Sequence, residues 1–328
     1  MTVTGGRDED CDRGVSLLRQ EQYVHEAVYF DGAGDLVDAT APLLREALAQ
    51  GTDVALVCTE RHNRALTEAL GGDDRVMVLP RLEIYRKAST AVAFFRDFVE
   101  ERLAGGADRV CLLGEVDFGT EGRGLDEWRR YEALLDHVLS PFPLWTLCGY
   151  DTQLLPDPVL AAAEVTHPYL RRHGVQAPNH AQVDPGELLR QTDAGAALAP
   201  PIEPTVMIPN VLDLDELHQD LGGLLMIEGL SRERVEEVVQ AVHEVVANGM
   251  RHGAPPVAVR VWFPRGRVVC TVTDQGSGFD DPFAGYLRGA GDTLPDGRFG
   301  LWLARQFCDE VATSRTADGF VVRLVVHH

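Results

Sequence analysis

Glu244-Val-Val-Ala-Asn248 and Asp274-Gln-Gly-Ser-Gly278 are the two stretches that decide how the C-terminal part of the chain is read. The first sits in a helical pattern. Ser231 can cap it, Arg-Glu-Arg follows, and Val235, Val238, Val239, Val242, Val245 and Val246 recur at helical spacing. Glu244 and Asn248 are four apart, so they share one face, and His252 continues that face a turn later. A carboxylate and an amide oxygen one turn apart suit a hard cation and a hydroxyl to be activated; magnesium takes oxygen ligands and keeps several waters. The bland alternative is a solvated helix face.

The second stretch ends a strand. Val268-Val-Cys-Thr-Val-Thr273 alternates and is rich in β-branched residues. A carboxylate at its end, Asp274, can accept a hydrogen bond from an amino group such as that of adenine. Gly276 and Gly278 let backbone approach a ligand closely. Alone, D-x-G-x-G is also an ordinary turn; its place after the Glu-x-x-x-Asn helix gives it weight. A third piece, Asp296-Gly-Arg-Phe-Gly300, opens a further helical pattern, and helix N-termini favour phosphate. Between these pieces, 280–295 is a long loop rich in Pro, Gly and Asp. Loops of that length inside a domain are usually functional. Gly319-Phe-Val-Val-Arg-Leu-Val-Val326 reads as a final strand.

In this order the three pieces resemble the ATP-binding boxes of the GHKL superfamily, which includes gyrase and histidine kinases. His243-Glu-Val-Val-Ala-Asn-Gly-Met-Arg-His-Gly253 is most similar to the bacterial anti-sigma factor kinases. The resemblance covers about 203–328, with Leu214-Asp-Glu-Leu-His-Gln as first helix. It implies an α+β sandwich of the GHKL (Bergerat) type. By resemblance, Glu244 is the catalytic base and Asn248 the magnesium ligand. Asp274, Gly276 and Gly278 bind adenine, Gly300 contacts phosphate, and His252 belongs to the nucleotide face. The loop 280–295 occupies the place of the family's ATP lid. One departure stands out: the second glycine box is usually G-x-G, and here Arg298 holds its first position. Arg298 can pair with a phosphate itself, or remain a solvated arginine.

Length and composition bound the rest. The 328 residues predict two domains. A net charge of −21 argues against nucleic acid, whose phosphates require clustered Lys and Arg. The N-terminus is polar and acidic, and no apolar run reaches membrane-spanning length; a cytoplasmic protein with no membrane contact is expected. The six cysteines form no C-x-x-C pair, so neither zinc nor a disulfide framework is indicated by spacing. Cys58, Cys111, Cys148 and Cys270 lie in apolar runs and are expected as buried thiols, whereas Cys11 falls in a flexible tail.

From His25 to about Leu189 strand and helix patterns alternate. This predicts an α/β domain with a mostly parallel sheet covered on both faces. His25, Gly114-Glu115, Arg130-Tyr-Glu132, Cys148-Gly-Tyr-Asp151 and Thr166-His-Pro168 resemble the MEDS sensory domain, itself RecA-like. The segment after the first strand, Asp31-Gly-Ala-Gly-Asp35, reads as a turn and lacks G-K-[ST]; no ATP hydrolysis is expected there. His25, Glu115, Tyr150, Asp151 and His167 are candidates for a signal pocket at the sheet's C-terminal edge. For His167 the plainer reading is a satisfied histidine before Pro168, with a His25–His167 metal pair as the alternative. Trp128 and Tyr131 read as core. A helix from Ser89 to Ala104 would be capped by Ser89 or Thr90.

The expected organisation is a tail at 1–19, a sensory domain at 20–190, an Ala/Pro linker at 191–204 and a kinase domain at 205–328. The resemblances imply an anti-sigma factor: a protein serine/threonine kinase acting in transcription regulation and stress response. Its cofactors would be ATP and Mg. It would hold a sigma factor, phosphorylate an anti-anti-sigma (STAS) protein, respond to a small-molecule signal at the N-terminal domain, and form a homodimer as such family members do. The alternatives are a histidine kinase-like protein and a nucleotide-responsive module that sequesters a partner without catalysis. No dimerisation helix pair with a phosphoacceptor histidine is legible.

Overall fold

The computed structural model describes residues 23–118, 125–196, 202–286 and 298–328, the Arg298 side chain excepted. The expected tail with Cys11, part of the Ala/Pro linker and the loop beyond Tyr286 lie outside these residues. The chain divides into two units, 1–183 and 184–328.

In unit 1 the order is β1 (Val24–Phe30), α1 (Gly32–Ala49), β2 (Asp53–Val57), α2 (Glu60–Ala69), β3 (Val76–Val78), α3 (Arg81–Ile84) and α4 (Ala88–Ala104). Then come β4 (Val110–Gly114), α5 (Leu125–Leu139), β5 (Leu144–Asp151), α6 (Asp157–Thr166), β6 (Tyr169–Arg172) and β7 (Val175–Pro178). The sheet runs β3-β2-β4-β5-β1-β6-β7. Every pair is parallel except the closing β6–β7 hairpin.

Both faces of this sheet are covered, and strand alternation shows how. Val24, Val28 and Phe30 of β1, with Trp145 and Leu147 of β5, share a core with Leu36 and Leu44 of α1. His25 of β1 and Cys148 of β5 therefore face the other way, where His25 bonds Asp136 of α5. On the α1 side lies a fully buried carboxylate, Glu26, which Arg171 pairs with and Trp145 Nε1 donates to at 3.3 Å. Trp128 and Tyr131 are core, packed edge-on to each other with ring centroids 5.4 Å apart.

Two local expectations are corrected. The segment Asp31–Asp35 is no turn: α1 starts at Gly32, and Asp31 N–H donates to Asp35 Oδ2 at 2.9 Å. The helix α4 starts at Ala88, so Ser89 and Thr90 lie within it and neither caps it.

Unit 2 comprises α7 (Pro185–Ala196), β8 (Val206–Ile208), α8 (Leu214–Ile227), α9 (Arg232–His252), β9 (Ala258–Trp262), β10 (Arg267–Asp274), α10 (Arg298–Phe307), β11 (Glu310–Thr316) and β12 (Gly319–His327). Its sheet runs β11-β12-β10-β9-β8, antiparallel throughout. Val268, Cys270 and Val272 of β10 face the valine stripe of α9 and Leu217, Leu221 and Leu225 of α8. Val269 points to the opposite face with Trp262 and Val325. Ser231 caps α9 by accepting from Arg234 N–H, and Asp213 caps α8 by accepting from Asp215 N–H.

Residues 185–196, which span the expected end of the sensory domain and the start of the linker, form α7. Asp193 on this helix accepts from Thr313 N–H at 3.0 Å and its hydroxyl at 3.1 Å. β11 is an edge strand, and this contact covers one of its outward amides. Among the described residues no helix is long and apolar enough to cross a membrane.

Candidate functional site

Asp274 closes β10 and is buried. Its Oδ1 accepts from Gly276 N–H at 2.7 Å and from Ala254 N–H at 3.3 Å. Among the described residues Oδ2 takes no hydrogen bond, and the residue lines a cavity of about 390 Å³. That volume lies in the range of small-molecule sites. One wall is α9, through Val245, Asn248 and His252; apolar Val272, Leu301 and Phe320 supply others. A buried carboxylate that has one oxygen held by amides and lines a largely apolar cavity is an acceptor for a donor on a flat, largely apolar ligand.

The glycines shape this site by what they exclude. Gly278 has φ +62°, and a Cβ there would overlap the Phe320 ring. Gly276 acts on the carboxylate itself: its amide holds Oδ1, and a Cβ would stand 2.7 Å from that oxygen. A Cβ on Gly300 would come within 2.7 Å of Asn248 Nδ2 and 3.1 Å of Glu244 Oε2. The first turn of α10 is thereby set against the Glu244–Asn248 face of α9. Glu244 is half-buried, and its Oε1 accepts from Gln240 Nε2 at 3.0 Å. Asn248, His252, Asp274 and Gly278 thus line the cavity, while Glu244, Gly276 and Gly300 adjoin its lining residues.

Sequence reading missed Gly253 and Gly319, which fit just as tightly. A Cβ on Gly253 would overlap the Asp274 carboxylate, and one on Gly319, at φ +124°, would overlap the Asp274 carbonyl. In the sequence Gly253 showed only as the end of the His243–Gly253 stretch and Gly319 only as the opening of the final strand. The start of the loop after Asp280 is anchored: Arg305 is stacked 3.6 Å over the Tyr286 ring, and its Nε donates to Ala284 O. The Arg298 side chain lies outside the described residues.

In unit 1 the five candidates do not gather at one sheet edge. Glu115 turns to His62, 2.9 Å from its Nδ1, and accepts from Thr59 N–H. Asp151 accepts from Gln153 N–H in the turn after β5. His25 and His167 meet, ring centroids 4.1 Å apart, beside Glu132, to which Tyr150 OH donates at 3.0 Å. Burial, with the neighbouring His25, drives His167 down to about 4, so its imidazole is neutral. Burial likewise pushes the Cys148 thiol up to about 12. For Glu132 burial works the other way, but His167 and His25 outweigh it and hold the carboxyl below its ordinary value. Cys58, Cys111 and Cys270 are buried thiols, as expected.

Comparison with protein families agrees with this division. Residues 24–168 match the family model of MEDS, the methanogen/methylotroph, DcmR sensory domain. Residues 213–326 match that of the histidine kinase-like ATPase domain. The chain is a MEDS domain followed by a GHKL-type, histidine kinase-like ATPase domain. No curated protein matches it. The site described for unit 2 falls within the ATPase match, and its cavity, buried acceptor and close-set glycines fit an adenine nucleotide.

Proposed function

We propose that this chain is a cytoplasmic anti-sigma factor with an attached sensor: it binds Mg-ATP in unit 2, holds a sigma factor, and phosphorylates Ser or Thr of a STAS partner. One observation carries the reading. The Asp274 carboxylate faces the cavity, while Glu244 and Asn248 share a helix face against the start of α10. ATP would supply the phosphoryl group, with magnesium offsetting its charge. Transfer of this kind rests on positioning and charge stabilisation. Asp274 would accept a hydrogen bond from the adenine amino group. The Asn248 amide oxygen would hold the magnesium. Glu244 takes the proton of the partner's hydroxyl on a carboxylate oxygen. Val272, Leu301 and Phe320 keep water from the base-binding end.

Arg298 in place of the first glycine of its box favours a second reading, nucleotide-responsive sequestration without transfer. A histidine kinase fits less well. The described helix preceding the ATPase match, α7, is a single helix of 12 residues tied to β11.

Calorimetric titration of Mg-ATP into the full chain, beside Asp274→Ala, tests the site. Magnesium-dependent binding lost in the variant supports it; no binding by the wild type removes it. Incubation with labelled ATP and a STAS protein then separates the two readings. Transfer giving an acid-stable, base-labile phosphoester, lost in Glu244→Ala, supports the kinase. Binding without transfer supports sequestration.

A further inference from the structure

Four donor side chains from four elements of unit 1 converge in its interior: His25 on β1, Glu132 on α5, Cys148 on β5 and His167 after α6. All four residues are buried, His25 and His167 with no exposure at all, and their ligand atoms all lie within 4.8 Å of one another. His25 Nε2 is 3.2 Å from Glu132 Oε2 and 3.4 Å from Cys148 Sγ. Glu132 Oε2 is 3.6 Å from Cys148 Sγ and 3.6 Å from His167 Nε2. A zinc tetrahedron built from bonds of about 2.0–2.3 Å has edges of roughly 3.3–3.6 Å. The four measured separations lie close to that range.

The surroundings orient three of the donors, His25, His167 and Glu132, inward. The far nitrogen of His25, Nδ1, donates to Asp136 Oδ1 at 2.9 Å, and Gln182 holds the other Asp136 oxygen. His167 Nδ1 lies 2.9 Å from Ala163 O. A carbonyl only accepts, so Nδ1 carries the proton and Nε2 keeps its lone pair. That Nε2 is buried and has no hydrogen-bond partner among the described residues. Tyr150 OH occupies Glu132 Oε1, leaving Oε2 to the centre. A carboxylate or backbone carbonyl behind each histidine is the usual support of a metal-bound imidazole. Charge agrees as well. Two neutral imidazoles, a thiolate and a carboxylate offset a dication, and a buried charge must be paired.

We propose that His25, Glu132, Cys148 and His167 form a closed, four-coordinate site for a divalent transition-metal ion of the zinc class inside the MEDS domain. The nitrogen, sulfur and oxygen donors exclude magnesium and calcium and suit a borderline-soft ion. With no position left for water the ion is structural in the resting protein, tying β1, β5, α5 and the α6–β6 junction together. Binding sends the Cys148 thiol proton, and any proton on His25 Nε2, to solvent. This inference does not rest on the nucleotide reading of unit 2.

The test uses the full-length chain, because the site is sealed and the metal must enter as the chain folds. Expressed with added zinc and purified without chelator, it should carry about one zinc per chain by mass spectrometry. Expressed with cobalt, it should show the visible bands of tetrahedral cobalt and a near-ultraviolet thiolate-to-cobalt band. Cys148→Ser should abolish the thiolate band. His167→Gln should lower retained metal at least tenfold. Asp136→Asn, which leaves all four ligands in place, should weaken binding about 10–100-fold. Exposed His173→Ala should change nothing. A folded wild type free of metal from both media overturns the proposal whatever the variants do. Full metal retention in both Cys148→Ser and His167→Gln overturns it too.

Discussion

The two units treat buried polar groups in opposite ways. Unit 1 seals them: Glu26 against Arg171, Glu115 against His62, and the His25–Glu132–Cys148–His167 quartet with outside partners on His25, His167 and Glu132. Unit 2 keeps Asp274 at the wall of a cavity, with one oxygen tied to amides and glycines set where side chains would collide. The difference teaches where each unit is vulnerable. A sealed charge network fails when one partner is removed, because the other is left buried and unpaired. An open site fails when backbone space is filled or when the acceptor changes character.

The largest expected effect is therefore in unit 1. Arg171→Leu removes the cation paired with buried Glu26, leaving its charge, among the described residues, only the Trp145 and Gln176 hydrogen bonds, and should destabilise that unit by about 3–5 kcal/mol. Urea unfolding followed by hydrogen exchange assigns the loss, and a change under about 1 kcal/mol would place Glu26 outside the sealed class. Next is Gly319→Ala in unit 2. Its φ of +124° and the Asp274 carbonyl beside it predict a loss of about 2–3 kcal/mol confined to unit 2. An unchanged unfolding midpoint would show that the β11–β12 turn is free to move.

A smaller effect sharpens the contrast by separating function from stability. Asp274→Asn keeps an oxygen for the Gly276 and Ala254 amides but turns an amide donor into the cavity. Nucleotide affinity should fall about tenfold or more, roughly 1.4 kcal/mol, with the midpoint of unit 2 unchanged. Equal affinity in calorimetry would remove Asp274 from the binding site. Smallest is Ser231→Ala. Losing the cap of α9 should cost about 1 kcal/mol, read from the thermal midpoint. No shift would mean that packing of the valine stripe alone fixes where α9 begins.

The open site was largely legible because its information is local. Helical spacing puts Glu244, Asn248 and His252 on one face, and an alternating strand that breaks into glycine ends at Asp274; that these form one site is what the GHKL resemblance implied. Even the Ser231 cap is a near-neighbour contact. Where local reading failed, a competing local choice won, as at α4, which begins before Ser89, and at α1, which takes in the glycines after β1. The extent of α7 was also hidden, since Asp193 finds its partner 120 residues away on β11.

By itself, then, the sequence determined the two fold classes, the α9 face and the strand-end carboxylate, all of them patterns within one or two elements. Only the tertiary structure decided which glycines crowd Asp274, that Glu115 and Asp151 stand apart from His25, and that Glu132 and Cys148 join His25 and His167. The physical reason is the order of strands. The pairing of β1 with β5 puts residues 25 and 148 on one face of adjacent strands, and the packing of α5 and α6 on that face brings 132 and 167 to them. Periodicity states which residues are inside, but not which strand lies next to which.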